Sequence, residues 1–209
     1  GIVDYGMGNV GSIQNMLTRL GFRSVMTADP AALGQATRIV LPGVGAFDHA
    51  VGRLRELGLF DALNERVLRD RVPVLGICLG MQLLSGGSEE GSLPGFGWIP
   101  ARTVRFPAGS EAFRDLRLPH MGWNTVAIRR PNPLLREWPD GPRFYFVHSY
   151  HVACEDDADV LATATYGIEF HAAVNRGNIW GTQFHPEKSH KFGLDVLKRF
   201  AGLGSGEAA

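Results

Sequence analysis

The sequence predicts an α/β fold with a mainly parallel central sheet flanked by helices and a smaller antiparallel sheet. The first 85 residues alternate short apolar runs with amphipathic helical patterns, which is typical of a parallel sheet covered by helices. From Gly86 onward, glycine and proline become frequent and helical periodicity gives way to short strand-like segments, which indicates a mainly antiparallel half. Since there is no internal repeat and no long linker, we expect one domain spanning residues 1–209.

The front half contains three apolar runs, each followed by a helical pattern. The first run lies in GIVDYG, which lacks a starting methionine, so we expect the native chain to begin slightly earlier. Apolar residues at helical spacing then predict a helix over about 9–20, which Gly21 ends as a C-cap. The second run, RIVLPG at 38–43, leads into a helical pattern that breaks at Gly58, and the third, VPVLGI at 72–77, enters a helix at LGMQLL.

Six segments of the second half have the short, apolar pattern of strands. They are ARTVRF, NTVAIR, RFYFVHSYHVAC, VLATATY, HAAVN and IWGTQF. Cys154, in the third of them, is expected to pack as a small core residue. The chain returns to helix from Ser189, where Phe192, Val196 and Phe200 share one face, and its tail GLGSGEAA is expected to fray.

Composition limits the classes of ligand. Lysine plus arginine equals aspartate plus glutamate at 21 each, so nothing in the composition suggests the long-range field that a nucleic-acid or anionic-membrane binder would use. Only two cysteines are present, and no cleavable signal or long apolar run is visible, which favours the reducing cytoplasm. The ligand is therefore expected to be a small molecule or a protein.

A candidate nucleophile lies in the string GICLG at 76–80, which joins a buried strand to a helix start. A nucleophile elbow needs small residues two before and two after the nucleophile, and Gly76 and Gly80 meet that need around Cys78. The helix beginning near Leu79 would present backbone amides that favour a thiolate. A lone cysteine is more often buried and inert, so the interpretation requires a base.

The best candidate for that base, among seven histidines, is His185. It follows the apolar run IWGTQF and precedes Pro186, which favours extended backbone at His185. Residues two apart in extended backbone project to the same side, so Glu187 can orient the imidazole. Taken alone, the pair fits a solvated surface turn. Together with Cys78 it predicts a nucleophile, base and acid in an order that differs from that of α/β-hydrolases.

The strings LGICLGMQLL and HPEKS resemble the class I, or triad, glutamine amidotransferases, and the resemblance covers essentially the whole chain. Within that group, DYGMGN at 4–9, LPGVGAF at 41–47, HMGWN at 120–124 and FVHSYH at 146–151 resemble the glutaminase subunits of imidazole glycerol phosphate synthases, which serve histidine biosynthesis. The resemblance implies the class I glutamine amidotransferase fold and the hydrolysis of glutamine to glutamate and ammonia.

The resemblance also implies roles for individual residues. Cys78 would form a γ-glutamyl thioester, His185 would accept and donate protons, and Glu187 would orient His185. The backbone amides of Leu79 and Val44 would form the oxyanion hole, after the PGVG loop reorients. The implied glutamine contacts are Gly45, Gln82, His148, Ser149 and Tyr150. Gln82 lies four residues after Cys78, on the same helix face.

The resemblance further implies a (β/α)8-barrel cyclase as the partner that consumes the ammonia. The residues implied at the docking face are Asn9, Met121, Trp123, Tyr145 and Lys188. Their ordinary alternatives are core packing for Met121 and Trp123, a solvated charge for Lys188 and a helix N-cap for Asn9.

No cofactor and no metal are expected. His148 and His151, spaced i and i+3, could ligate a metal, but no carboxylate or cysteine cluster completes a site. Three other functions stay open at this point: a glutaminase serving another synthase, a cysteine peptidase or other thiol hydrolase, and a noncatalytic adaptor. Against the adaptor, all three residues of the implied triad are present.

Overall fold

The structure is a computed structural model that describes residues 1–204. Of the tail GLGSGEAA, for which fraying is predicted, residues 205–209 lie outside the described part of the chain. Within residues 1–204, no helix combines the length and the apolar character that crossing a membrane requires.

The described residues form strands and helices that alternate in the first half and are mainly strands in the second. The strands are β1 (Ile2–Val3), β2 (Met26–Thr27), β3 (Ile39–Gly43), β4 (Val74–Cys78), β5 (Ala101–Arg105), β6 (His120–Thr125), β7 (Ala127–Ile128), β8 (Arg143–His148), β9 (Tyr150–Cys154), β10 (Val160–Tyr166), β11 (Ile168–Arg176) and β12 (Ile179–Thr182). The α-helices are α1 (Val10–Arg19), α2 (Pro30–Leu33), α3 (Phe47–Glu56), α4 (Leu59–Asn64), α5 (Leu79–Leu83) and α6 (His190–Gly202). A π-helical turn, Glu65–Arg69, continues α4.

The central sheet has eight strands in the order β2-β1-β3-β4-β12-β11-β10-β7. The strands from β2 to β12 run parallel, whereas β11, β10 and β7 continue the same sheet in antiparallel fashion. Two further pairs, β5 with β9 and β6 with β8, form separate antiparallel sheets. The predicted fold class is confirmed, with the difference that the antiparallel strands divide between the central sheet and two small ones.

Helices bury an apolar stripe against each face of the sheet. Ile13 and Leu17 of α1 share one core cluster with Val196 of α6, and Val51 and Leu54 of α3 belong to a second cluster. The strands between them are buried on both faces, which explains why they are near-continuous apolar runs in the sequence. Because β3, β4 and β12 run parallel, their carboxyl ends meet at one edge of the central sheet.

The boundaries of several elements differ from the predicted ones. The run at 72–77 begins as a strand only at Val74, and RFYFVHSYHVAC is not one strand but two, which separate at Ser149 and enter different sheets. The two-residue β2 and the four-residue α2 were missed because neither is long enough to show periodicity. Cys154 ends β9 and packs against the core, but it is half-buried at the margin of the core rather than inside it.

Candidate active site

Cys78 ends β4 and immediately precedes α5, so it occupies the predicted strand-to-helix turn. Its backbone has φ 55° and ψ −109°, a combination that residues with a side chain rarely adopt. A turn strained in this way is the geometry of a nucleophile elbow, which presents its side chain at the carboxyl edge of a parallel sheet.

The glycines on either side of Cys78 are required by close backbone packing. A Cβ atom on Gly76 would lie 2.6 Å from the carbonyl oxygen of Gly80, and one on Gly80 would lie 1.8 Å from the carbonyl oxygen of Leu41 in β3. Neither separation is possible without moving the backbone, because the close atoms belong to the main chain. The lack of room for a Cβ atom agrees with the sequence-based reason for glycine at both positions.

His185 reaches the same edge from the neighbouring strand. Strand β12 runs parallel to β4 with Thr182 opposite Ile77, and His185 follows β12 as Cys78 ends β4. The Nδ1 atom of His185 lies 2.8 Å from Oε1 of Glu187, and each side chain is only 1% exposed. The sequence pattern therefore identified a pair that is buried and directly hydrogen-bonded rather than solvated on a surface turn.

The surroundings of His185 favour its protonated form. Burial alone would lower the pKa of the imidazole, but Cys78 and Glu187 together raise that pKa to about 10. Cys78 contributes the largest part of the rise in the pKa of His185. Even so, Nε2 of His185 has no hydrogen bond of ordinary geometry to a described residue. Catalytic hydrogen bonds are commonly loose before a ligand binds, so Nε2 is available to exchange a proton with reacting atoms.

The turn that carries His185 is fixed by hydrogen bonds of the Ser189 hydroxyl and of the main chain. Ser189 accepts a hydrogen bond from the Tyr145 amide at 3.0 Å and donates one to the His185 carbonyl at 2.6 Å. The His185 amide donates to the Tyr145 carbonyl at 2.9 Å. Helix α6 closes against the turn, because a Cβ on Gly193 would lie 1.8 Å from the Pro186 carbonyl oxygen.

A cavity of about 300 Å³ lies beside Cys78 and His185. It is lined by the predicted oxyanion residues Val44 and Leu79 and by the predicted glutamine contacts Gly45, Gln82, His148, Ser149 and Tyr150. His148 differs from the others, since Nδ1 of its buried ring lies 2.9 Å from the Tyr150 carbonyl and Nε2 lies 3.1 Å from Nδ1 of His120. A contact between this ring and a ligand would break one of those bonds.

Glu90 lines the same cavity and was missed at the sequence level. Its side chain is anchored by one carboxylate oxygen, Oε2, which accepts a hydrogen bond from the Phe47 amide at 3.0 Å, at the start of α3. No local pattern marks it, because Glu90 lies in a glycine-rich loop and reaches the cavity only through the tertiary fold. It supplies a carboxylate for a cationic group.

The PGVG loop begins directly beside the nucleophile. Gly43 pairs with Cys78 in the register of β3 and β4, and Gly45 has a φ of 101°, where glycine is favoured. The hydroxyl of buried Tyr5 donates to the Pro42 carbonyl at 2.9 Å, and burial raises the pKa of Tyr5, so the hydroxyl stays protonated. The loop is thus anchored at its first residue.

Four of the five predicted docking residues form an exposed patch, which we call the docking patch: Met121, Trp123, Tyr145 and Lys188. Met121 and Trp123 are 65% and 48% exposed, so the core-packing alternative is wrong for both. The Trp123 and Tyr145 rings meet edge-on at 6.4 Å, and Nζ of Lys188 lies 5.7 Å from the Tyr145 ring. Asn9 occupies the N-cap position of α1, but its side chain makes no capping hydrogen bond.

The model of the class I glutamine amidotransferase family matches residues 1–201. The chain belongs to that family. Among its curated relatives, "Imidazole glycerol phosphate synthase subunit HisH 2" of Methanococcus maripaludis is 51% identical over 95% of this chain and 96% of the relative. The protein of the same name from Pseudomonas aeruginosa is 47% identical over 97% of this chain and 98% of the relative.

Solved structures of other glutamine amidotransferases share the fold. "Crystal structure of glutamine amidotransferase" superposes with a TM-score of 0.72 at 19% identity, over 97% of this chain and 98% of that chain. A putative GMP synthase protein from Thermoplasma acidophilum superposes with a TM-score of 0.71 at 20% identity, over 96% of this chain and 90% of that chain. At such identity the likeness concerns the fold alone.

Metal ions in proteins are commonly held by clusters of histidine, cysteine, aspartate and glutamate side chains. Within residues 1–204, no group of three such side chains is placed to hold a metal ion. His148, considered as a ligand with His151, uses both ring nitrogens in hydrogen bonds inside the protein.

Proposed function

We propose that this glutamine amidotransferase is the glutaminase subunit of an imidazole glycerol phosphate synthase. It hydrolyses glutamine to glutamate and ammonia and passes the ammonia to a cyclase subunit for histidine biosynthesis, in the cytoplasm. The observation that carries the hydrolytic part is the buried Cys78, His185 and Glu187 set beside a cavity of about 300 Å³. The two relatives above support the choice of synthase.

The first half of the reaction forms a thioester. The Cys78 thiolate attacks the side-chain carbonyl carbon of glutamine, and the carbonyl electrons move to oxygen, where the amides of Leu79 and Val44 would stabilise the charge. As the tetrahedral intermediate collapses, the C–N bond breaks and the His185 imidazolium donates its proton to the departing nitrogen. The products of this step are ammonia and a γ-glutamyl thioester.

The second half restores the enzyme. His185, now neutral, takes a proton from water through Nε2 while the water oxygen attacks the thioester carbon. The C–S bond then breaks, and the sulfur leaves as a thiolate beside the imidazolium. Glu187 holds the same ring orientation in both halves and offsets the positive charge, as the acid of a nucleophile–base–acid triad does.

Recognition of glutamine follows from the lining of the cavity. Glu90 supplies the carboxylate that would pair with the α-ammonium group, while Gly45, Ser149 and Tyr150 line the remaining wall. A pocket with a few convergent polar groups around an activated residue is the usual form of a small-molecule site.

The proposed partner is a (β/α)8-barrel cyclase that binds the docking patch together with Asn9. Aromatic side chains and methionine are enriched at interface centres relative to ordinary surface, and Trp123, Tyr145 and Met121 supply them here. Nζ of Lys188 lies beside the Tyr145 ring. The patch connects directly to the catalytic turn, since the Tyr145 main chain is hydrogen-bonded to both His185 and Ser189. Turnover is therefore expected to rise when the cyclase binds.

The test is glutamate release from glutamine by the purified chain, alone and with the cyclase and its nucleotide substrate. We expect weak release alone and strong release in the complex, and Cys78→Ser should abolish release in both. If the complex is no faster than the free chain, the assignment to this synthase is wrong and a glutaminase of another synthase becomes the better assignment. If Cys78→Ser retains full activity, the thioester mechanism is wrong.

A further inference from the structure

Two buried histidines face each other across the small β6–β8 sheet. His120 and His148 are cross-strand partners, only 3% and 5% exposed, and Nδ1 of His120 lies 3.1 Å from Nε2 of His148. The catalytic steps above do not use either ring. A buried pair of titratable groups with a direct mutual hydrogen bond needs an explanation of its own.

The Tyr150 carbonyl at one end of this pair sets the direction of its hydrogen bonds. The Tyr150 carbonyl can only accept, so Nδ1 of His148 carries the hydrogen. Burial holds the pKa of His148 well below its usual value and lowers that of His120 to about 4, so both rings are neutral near pH 7. Nε2 of His148 is then bare and must accept from Nδ1 of His120.

Asn124 adds one more hydrogen bond at the His120 end of the pair. Nδ1 of His120 carries its only hydrogen, so Nε2 of His120 is also bare and accepts from the Asn124 amide nitrogen at 3.4 Å. The orientation of Asn124 is fixed because that nitrogen also donates to the Thr165 carbonyl at 2.9 Å. A one-directional relay of hydrogen bonds thus runs from Asn124 through His120 and His148 to the Tyr150 carbonyl.

The relay ends where the glutamine pocket begins. The Tyr150 carbonyl also accepts from Nε2 of Gln82 at 2.9 Å, and that nitrogen gives its second hydrogen to Oε1 of Gln183 at 3.3 Å. Nε2 of Gln183 in turn lies 3.8 Å from the sulfur of Cys78. Since both hydrogens of the Gln82 amide are used, the atom that Gln82 can offer to a ligand is its carbonyl oxygen, an acceptor.

We propose that His120 and His148 are positioning residues that fix the donor and acceptor polarity of the substrate pocket. By donating to the Tyr150 carbonyl, His148 holds the wall segment Ser149–Tyr150 and the acceptor that orients Gln82. The acceptor oxygen of Gln82 suits the NH2 group of a carboxamide and disfavours the carboxylate of the product glutamate. The inference rests on the proposed function, because it assumes that the cavity binds glutamine.

The tautomers provide a test that needs no activity. Nitrogen-15 NMR of the histidine-labelled chain should show His120 and His148 as neutral Nδ1–H tautomers across pH 6 to 8, with His148→Phe and His120→Phe assigning the signals. A neutral Nε2–H tautomer on either residue, or protonation of either within that range, overturns the relay.

Kinetics test what the relay does for the substrate. In the complex with the cyclase, His148→Phe should raise KM for glutamine about tenfold, the effect of losing one buried hydrogen bond, with a smaller change in kcat. His148→Asn can still donate to the Tyr150 carbonyl and should recover most of the loss. His171→Phe is the matched control, because His171 is a half-buried histidine outside the relay whose Nδ1 accepts a hydrogen bond from the Cys154 amide, and it should leave KM unchanged.

Two further measurements separate positioning from general damage. The rate at which iodoacetamide alkylates Cys78 should be unchanged in His148→Phe, because this small reagent does not use the glutamine contacts. The double Phe variant of His120 and His148 should have a KM for glutamine no higher than that of His148→Phe alone, since both changes interrupt the same series of hydrogen bonds.

The outcomes are distinct. A fall in melting temperature with unchanged KM would give the pair a purely structural role, and a fall in alkylation that parallels the loss of turnover would place its effect on the nucleophile. Either result overturns the proposal. Absence of glutaminase activity in the unmodified complex would instead overturn the proposed function and leave the tautomer result standing.

Discussion

The two walls of the active site are built by different physical means. On the nucleophile wall, the position of Cys78 is set by main-chain packing, with Gly76 and Gly80 in contact with each other or with β3. On the opposite wall, side-chain hydrogen bonds hold His185 through Glu187 and Ser189. Close main-chain packing sets the position of Cys78, whereas hydrogen bonds orient the His185 side chain.

This difference predicts how each wall responds to substitution. A main-chain contact cannot relax by rotating a side chain, so the elbow should tolerate almost no added volume. A hydrogen-bonded wall can lose one hydrogen bond and keep its shape. The loss then shifts the pKa of a side chain, lets the side chain turn away, or weakens ligand binding. Changes on the first wall should therefore abolish the structure of the site, and changes on the second should tune it.

The largest effect is expected for Gly80→Ala. Its Cβ would lie 1.8 Å from the Leu41 carbonyl oxygen, so β3 and α5 must separate, and the free energy of unfolding should fall by more than about 4 kcal/mol. Urea denaturation measures this. The control is Gly52→Ala in the exposed middle of α3. A Cβ there would meet no atom within 4 Å apart from its chain neighbours and the backbone of its own helix, so stability should rise by about 0.5 to 1 kcal/mol. Equal effects of the two changes would contradict the steric account of the elbow.

An intermediate effect, on chemistry rather than folding, is expected for Glu187→Gln. The amide keeps the shape but removes the charge that helps to raise the pKa of His185, so kcat for glutamine hydrolysis should fall by roughly 10²- to 10⁴-fold. NMR titration of His185 should show its pKa moving down from about 10. An unchanged pKa with normal kcat would remove Glu187 from the triad.

The same shift has a consequence for stability. Because the folded pKa of His185 lies above the ordinary value, its protonated form stabilises the fold fully below about pH 6.5, and that contribution is lost as pH rises through about 10. The free energy of unfolding should therefore decline between pH 7 and 10 more steeply in the native chain than in Glu187→Gln.

The contrast between the walls also explains what the sequence could predict. The elbow could be predicted from the sequence because its requirement is local: a cysteine with glycine two residues away on each side, between a strand and a helix. His185 with Glu187 was readable for the same reason. The pairing of His120 with His148 was not, because it joins residues 28 positions apart through the register of two strands. Glu90 was missed because no local pattern marks its approach to the cavity.

The smallest effect on the free chain is expected for Lys188→Ala, which tests whether the hydrogen-bonded wall responds to the partner. Lys188 is exposed, and its Nζ lies 5.7 Å from the Tyr145 ring, so its loss should change the free energy of unfolding by no more than about 1 kcal/mol. Glutamate release without the cyclase should change little. The control is Lys191→Ala, whose Nζ makes similar contacts with the rings of Trp138 and Phe192, outside the docking patch.

The informative quantity is the ratio of cyclised product to glutamate formed by the complex. Lys188 lies one residue after Glu187, in the turn that the Tyr145 main chain fixes, so cyclase binding at Lys188 would act on the same hydrogen bonds that hold His185. Lys188→Ala should therefore lower the ratio, whereas Lys191→Ala should not. If Lys188→Ala leaves the ratio unchanged, Lys188 is outside the interface, and the polar wall holds the base without relaying the state of the partner.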